Sequence, residues 1–434
     1  MKILLIGNGF DLAHDLPTRY KDFLDFCCRI EKIFTYNDSV GLKEYQQKCL
    51  DDWNINEKIK ELLLEIYDGR VSHTNILDDV SIETVVTTSN GTVNELHNLI
   101  KDNMWIKYFQ GILSDASIGE NWIDFESEIS RIIQAFDEIR VGVERSKAKE
   151  DFRPQIMSCI SKFLKAAGKK LTDLMKGIEN FDKFVVHMEL ELEQLIRALE
   201  IYFIDFVKEI EVIKKIPEID HLDAVDHVLS FNYTDTYNRI YGNNKNIEYN
   251  YIHGKAEHYN TLESNNMVLG IDEYLCEDRK DKEFTFLAFK KFYQRLLKAT
   301  DRQYLDWIDE IRDGYEMYKK NYEKAMASME VSDGRDPFTK EIGFAEPNIA
   351  RPEHTLYIFG HSLDATDKDV LKSIICNDNV QTKIYYYRKT EYDNAELGKL
   401  IKNLTRIMGQ DELIRRTGGN HKTIEFIPQT INNS

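Results

Sequence analysis

An α/β fold on a doubly wound, mostly parallel sheet, interrupted by a large helical insertion, is predicted by three features of the 434-residue chain. Short β-rich runs alternate with single amphipathic helices toward the carboxyl end. The amino terminus reads as strand, glycine turn and helix. Between them lies a long stretch with apolar residues at three-and-four spacing and heavy Lys/Glu content, the pattern of packed amphipathic helices.

Taken in order, residues 2 to 6 form an apolar strand, followed by Gly7-Asn8-Gly9, and then Tyr20, Phe23, Leu24, Cys27 and Ile30 recur at helical spacing behind Pro17 and Thr18. Helical patterns dominate from about Leu42 to Ile216, broken by a polar stretch near 70 to 92 and by Pro154. Strand character returns at HVLSFN (227–232), EYNYIHG (248–254) and NMVLGI (266–271). A second helical stretch follows over roughly Phe284 to Met326. The end alternates TLYIFG (355–360), helix DKDVLKSII, KIYYY (383–387), helix NAELGKLIKNLTRIM and KTIEFIP (422–428). The expected organisation is an α/β unit over 1–40 and 220–434, with a helical insertion near 283–330, and an inserted helical unit over 41–219.

Composition narrows the function classes. Hydrophobic residues make up 42% and charged residues 30%, with 7 prolines, so the whole chain is expected to fold. A net charge of -18 without a basic block disfavours free DNA or RNA as a partner, and a nuclease reading finds no shared geometry among the acidic residues. Six cysteines without a Cys-x-x-Cys pair argue against a zinc ribbon or a disulfide framework and for reduced thiols. The short ILLIG run is not a secretion signal, and no apolar run reaches membrane length, so a soluble, cytoplasmic protein is expected. The long helices suit self-association into a homo-oligomer or packing within one subunit.

Ligands in open α/β sheets bind at the carboxyl ends of the strands, so the residues just after each run are the candidates. Gly7 and Gly9 permit a sharp turn that could expose amides to a phosphate, or merely a tight strand-helix connection. Leu12 replaces the third glycine of G-x-G-x-x-G and no Gly-Lys-Ser/Thr follows, so neither the dinucleotide fingerprint nor a P-loop is met. Asp11 suits ribose hydroxyls, or else caps the helix. Asn232 suits a sugar hydroxyl or a water, or else an Asx-turn. His253, beside Gly254, suits proton transfer, or is a satisfied or surface histidine. His14, His253 and His361 lack metal-ligand spacing, and GHSLD lacks the second glycine of G-x-S-x-G. Glu126 stands beside the apolar face expected of Trp122, Phe125 and Ile129, where it reaches a cleft or remains a solvated charge.

Together, GNGFDLAHDLPTRYKDF, WIDFE (122–126), SFNYTDTY, YIHG, LGI and IFGHSLDATDKDVL resemble the AbiH family of bacteriophage abortive infection proteins, with an added aromatic-Lys-Gln segment at FKKFYQ (289–294). The resemblance implies a defence role and a phage-derived trigger as partner. The same motif order is similar to the Rossmann-like, sirtuin-like nucleotide fold. That likeness implies NAD as ligand, with Gly7 and Gly9 near the pyrophosphate and Asn232 on water or ribose; Asn8 and Phe10 of the same loop join the binding candidates as neighbours of the two glycines. It further implies His253 as general base and Gly360 with Ser362 on the adenine side. Asn8 and Asp11 depart from the small residue and serine of that fold's loop, and Asp11 and Glu126 are placed near ribose by their own chemistry and position. The zinc-binding cysteines of protein deacylases are missing, which leaves hydrolysis of the nicotinamide-ribose bond, with no metal, as the expected chemistry. The alternative expectation is a nucleotide-binding sensor or assembly module without catalysis.

Overall fold

Apolar runs from both ends of the chain pair into one sheet. The computed structural model describes residues 1–36, 40–74, 86–114, 123–144, 152–222, 224–242, 246–333 and 349–430. Within them β1 (Lys2–Ile6), β2 (His227–Ser230), β3 (Glu248–Tyr251), β4 (His354–Phe359), β5 (Val380–Tyr386) and β6 (Ile424–Pro428) form a six-stranded sheet. Its order is β3-β2-β1-β4-β5-β6, and every pair is parallel. The expected α/β class is therefore observed, and the direction of winding reverses between β1 and β4.

Side chains along β1 alternate between two cores. Ile3 and Leu5 pack with Leu229, Leu356, Ile358 and Ile384, whereas Leu4 and Ile6 pack with Val228, Tyr357 and Phe359. The first face is covered by Trp307 and Ile311 of helix Tyr304–Asp333, Val370 and Ile374 of Lys368–Ile375, and Leu400 and Leu404 of Ala395–Met408. Phe10, Ile219 and Tyr237 cover the second. Burial on both faces is why β1 and β4 carry nearly unbroken apolar runs.

The register sets the position of the site. Ile6 lies opposite both Ser230 and Phe359, and Ser230 lies opposite Tyr251. Gly7, Phe231, Ile252 and Gly360 consequently leave the sheet side by side at its carboxyl edge.

A helical body covers that edge. Helices Tyr20–Tyr36, Met104–Leu113, Phe125–Glu144, Pro154–Ala166 and Ile178–Tyr202 share one core, into which Trp105 is fully buried. That core also takes in Leu16, Tyr233, Ala256, Met267, Leu269 and Phe289, residues of the segments that follow the strands. Asn103 starts the Met104–Leu113 helix by accepting from the amides of Trp105 and Ile106.

Three expectations are corrected. NMVLGI is not a strand of the sheet: its backbone is satisfied instead by His253, whose carbonyl accepts from Val268, and by Gln294, which bonds both the N–H and the C=O of Leu269. Its contact with the rest of the chain through strand pairing is a single parallel bridge between Ile271 and Lys290. The second helical stretch divides into Lys291–Leu297 and Tyr304–Asp333, separated at Ala299, where φ is 49°. The polar stretch near 70 to 92 is helical over Glu57–Thr74 and Val86–Ile100, and its residues 75–85 lie outside the described part, as does Trp122. Among the described residues no helix is long and apolar enough to cross a membrane.

Candidate active site at the carboxyl edge

The glycines after β1 and β4 serve each other. Gly9 donates its N–H to the Gly360 carbonyl at 2.8 Å, and Gly7 donates to that of Phe359 at 3.2 Å. A Cβ on Gly360, whose φ is 66°, would fall 2.2 Å from the Phe10 nitrogen. A Cβ on Gly7 or Gly9 would stand 2.7 or 2.8 Å from the backbone of His361 or Gly360. The amides at 7 and 9 are thus engaged within the protein, and the expected phosphate cradle becomes a close approach between two loops. It brings the β1 and β4 loops together where the winding reverses.

Neighbouring candidates have structural work. Asn8 accepts from the Thr18 hydroxyl at 2.6 Å and donates to the Thr18 carbonyl at 3.3 Å, which fastens the loop to the start of the next helix. Phe10 is fully buried among His14, Tyr237, Tyr241 and Phe359, so it belongs to the core and not to a ligand surface. Ser362 is exposed, and its carbonyl accepts from Asn403. His14 is held by the Phe10 carbonyl and the Tyr241 hydroxyl, while His253 and His361 both turn to another partner.

Asp11 and Asn232 meet at the edge. Asp11 lies inside the short helix Asn8–Ala13 with no capping bond, accepts from Thr234 Oγ1 at 2.5 Å and is 1% exposed. Its Oδ1 has no protein partner. Burial pushes its pKa up to about 6, against the pull of Thr234, Thr236 and the nearby Asn232 amide. Asn232 forms no Asx-turn: its backbone N–H bonds Ser230 Oγ at 3.1 Å, while its buried side-chain nitrogen and oxygen make no hydrogen bond of ordinary geometry.

That burial has a measurable consequence. A carboxyl whose pKa is raised on folding is best tolerated below its unfolded value of 3.8, and stability is lost as pH rises through about 6. Asp11→Asn is expected to raise stability at neutral pH by up to about 3 kcal/mol, since one pKa unit is worth about 1.4 kcal/mol. Urea unfolding should show the gain vanish below pH ~4; a gain that persists there would refute the account.

The third group is an ionic cluster centred on Asp367. Lys291 Nζ lies 3.1 Å from Asp367 Oδ1 and 2.7 Å from Glu126 Oε2. His253 Nε2 lies 3.2 Å from Asp367 Oδ1, and His361 Nε2 lies 3.6 Å from Oδ2. Burial works against the Asp367 carboxylate, but Lys291, His253 and His361 outweigh it and hold its pKa well below the usual range. Burial first, and then Lys291, lower His253 to about 4, so its ring is neutral at pH 7. With Asp367 ionised, His253 Nε2 carries the proton and donates it, and Nδ1 keeps a lone pair that has no protein partner. His361 is fixed by the Leu363 N–H, which donates to its Nδ1 at 2.9 Å. Burial raises Glu126 to about 7, against the pull of Lys291.

Gly254 makes this placement possible. Its φ is 75°, and a Cβ there would meet the Asn266 carbonyl oxygen at 2.1 Å, so only glycine lets the Asn266–Ile271 segment close over His253.

The structure therefore leaves two groups beyond the strand ends, Asp11 with Asn232 and His253 with Glu126 through Asp367 and Lys291, with Phe125 and Ile129 buried beside Glu126 as the expected apolar face. Asp367, Lys291 and Thr234 carry the geometry but were not singled out in sequence. Asp367 stood inside FGHSLDATD, and the signal for Lys291 was a lysine pair embedded in the aromatic run FLAFKKFYQ. Among the described residues no group of three His, Cys, Asp or Glu side chains is arranged to hold a metal ion.

A parallel sheet in the order 3-2-1-4-5-6, with polar groups clustered outside its carboxyl ends at the reversal of winding, defines a Rossmann-like α/β protein. The family model for bacteriophage abortive infection AbiH matches residues 3–387, and the chain belongs to that family, with a role in phage defence by abortive infection. Comparison with curated proteins and with solved structures gives no match.

Proposed function

We propose that the chain is an abortive-infection effector that hydrolyses the nicotinamide-ribose bond of NAD or a related nucleotide. Four buried polar atoms without protein partners carry this reading: Asp11 Oδ1, both side-chain atoms of Asn232, and His253 Nδ1. Most buried polar groups in native proteins are hydrogen-bonded, so these exceptions beyond the strand ends at a reversal of winding support a polar ligand there.

The chemistry follows from their types. The bond from ribose C1′ to the nicotinamide nitrogen breaks, and both electrons leave with neutral nicotinamide. Asp11, ionised above about pH 6, faces the oxocarbenium-like charge that develops. Asn232 orients the ribose hydroxyls or the attacking water. Water adds its oxygen to C1′ as His253 Nδ1 takes its proton, and Asp367 stabilises the resulting imidazolium through Nε2–H.

The second reading, a nucleotide sensor without catalysis, is favoured by how closed the centre is: Asp11, Asn232 and His253 are each at most 5% exposed. Purified protein incubated with NAD, with and without phage lysate, should release nicotinamide. A ligand-induced rise in melting temperature without nicotinamide under either condition would replace the enzyme by the sensor.

A further inference from the structure

A cavity of about 690 Å³ opens between helix Lys291–Leu297, helix Lys368–Ile375 and helix Tyr304–Asp333. Its size suits a small organic ligand. Lys291 of the ionic cluster reaches its wall, but none of Asp11, Asn232, His253 or His361 lines it.

Its charge is unlike that of the chain as a whole. Arg312, Lys368 and Lys372 line it and have no ion-pair partner among the described residues. Arg295 also lines it, with Asp369 at 3.1 Å on one side of the guanidinium and a buried Nε that lacks a partner. Of the three lining carboxylates, Asp369 is held by Arg295 and Glu273 by Lys290. Asp272 remains, and burial pushes its pKa up to about 6. In a protein of net charge -18, converging cations without partners create a local positive potential that attracts anions. The wall adds Phe292, a ring left 48% exposed.

We propose that this cavity is a second ligand site, which binds a nucleoside phosphate with its phosphates on Arg312, Lys368 and Lys372 and its base against Phe292. Guanidinium and ammonium groups supply charge-assisted hydrogen bonds to phosphate, and an exposed ring supplies a stacking face. The site stands independently of the proposed hydrolysis, because it uses none of the four unsatisfied atoms at the sheet edge.

Calorimetric titration with ADP, pyrophosphate and adenosine tests it. ADP is expected to bind, more weakly as salt is raised, and adenosine not to bind. The exposed-residue variant Arg312→Glu/Lys372→Glu should lose roughly tenfold or more in ADP affinity, and Phe292→Ala should weaken ADP but not pyrophosphate. Asn232→Ala should leave ADP affinity unchanged. No ADP binding, binding indifferent to the charge reversals, binding lost in Asn232→Ala, or pyrophosphate binding as tight as ADP would each overturn the proposal.

Discussion

Lys291→Met is expected to destabilise the protein by about 3–5 kcal/mol, the range for removing one partner of a buried ion pair. Lys291 is 2% exposed and lies between Asp367 and Glu126, so methionine fills most of its volume but leaves Glu126 buried without its cation and Asp367 with only the longer contact to Arg295 Nη2 at 3.8 Å. Both would then take up protons more readily than in the wild type. The folded pKa of Asp367 would climb from its depressed value and that of Glu126, already about 7, would climb further, so the deficit should be largest at neutral pH and shrink as pH falls through the carboxyl range. Adding Glu126→Gln and Asp367→Asn should recover much of the loss, because both charges are then gone. Chemical denaturation of the three variants decides the matter: a deficit unchanged by pH and by the neutralising substitutions would mean that Lys291 acts by packing alone.

Under the proposed hydrolysis, His253→Ala is expected to lower NAD cleavage by about 10²- to 10⁴-fold, the usual worth of a general base. Asp367 keeps Lys291 in that variant, so the ionic cluster and the fold survive and the loss is read in kcat. The pH profile separates the partners. His253, held near 4, is already deprotonated above that value, whereas Asp11 must be ionised and carries a pKa of about 6. Wild-type rate should therefore fall as pH drops through about 6, and Asp11→Asn should remove that limb at a much lower plateau. Full cleavage by His253→Ala would remove the imidazole from the mechanism.

The strands were legible because each is a short apolar run ending in glycine or a polar turn, and their alternation with single helices predicts parallel pairing. The exception, NMVLGI, has the same composition but finds its backbone partners in Gln294 and His253, a tertiary choice that no local pattern encodes. Asp11, Asn232 and His253 were readable from their place after a strand. Gly7 and Gly9 were readable as a turn, but whether their amides faced a ligand or Gly360 depended on how near β4 would run.

By itself, then, the sequence determined the α/β class, the family and the strand-end positions where polar side chains gather, since all of these follow from periodicity and short motifs along the chain. Only the tertiary structure decided that Glu126, Lys291 and Asp367, up to 241 positions apart, share one buried ionic cluster with His253. The physical reason is that a carboxylate or ammonium carries no local mark of burial. Its pKa, its partner and its proton are fixed by whichever distant groups exclude water around it.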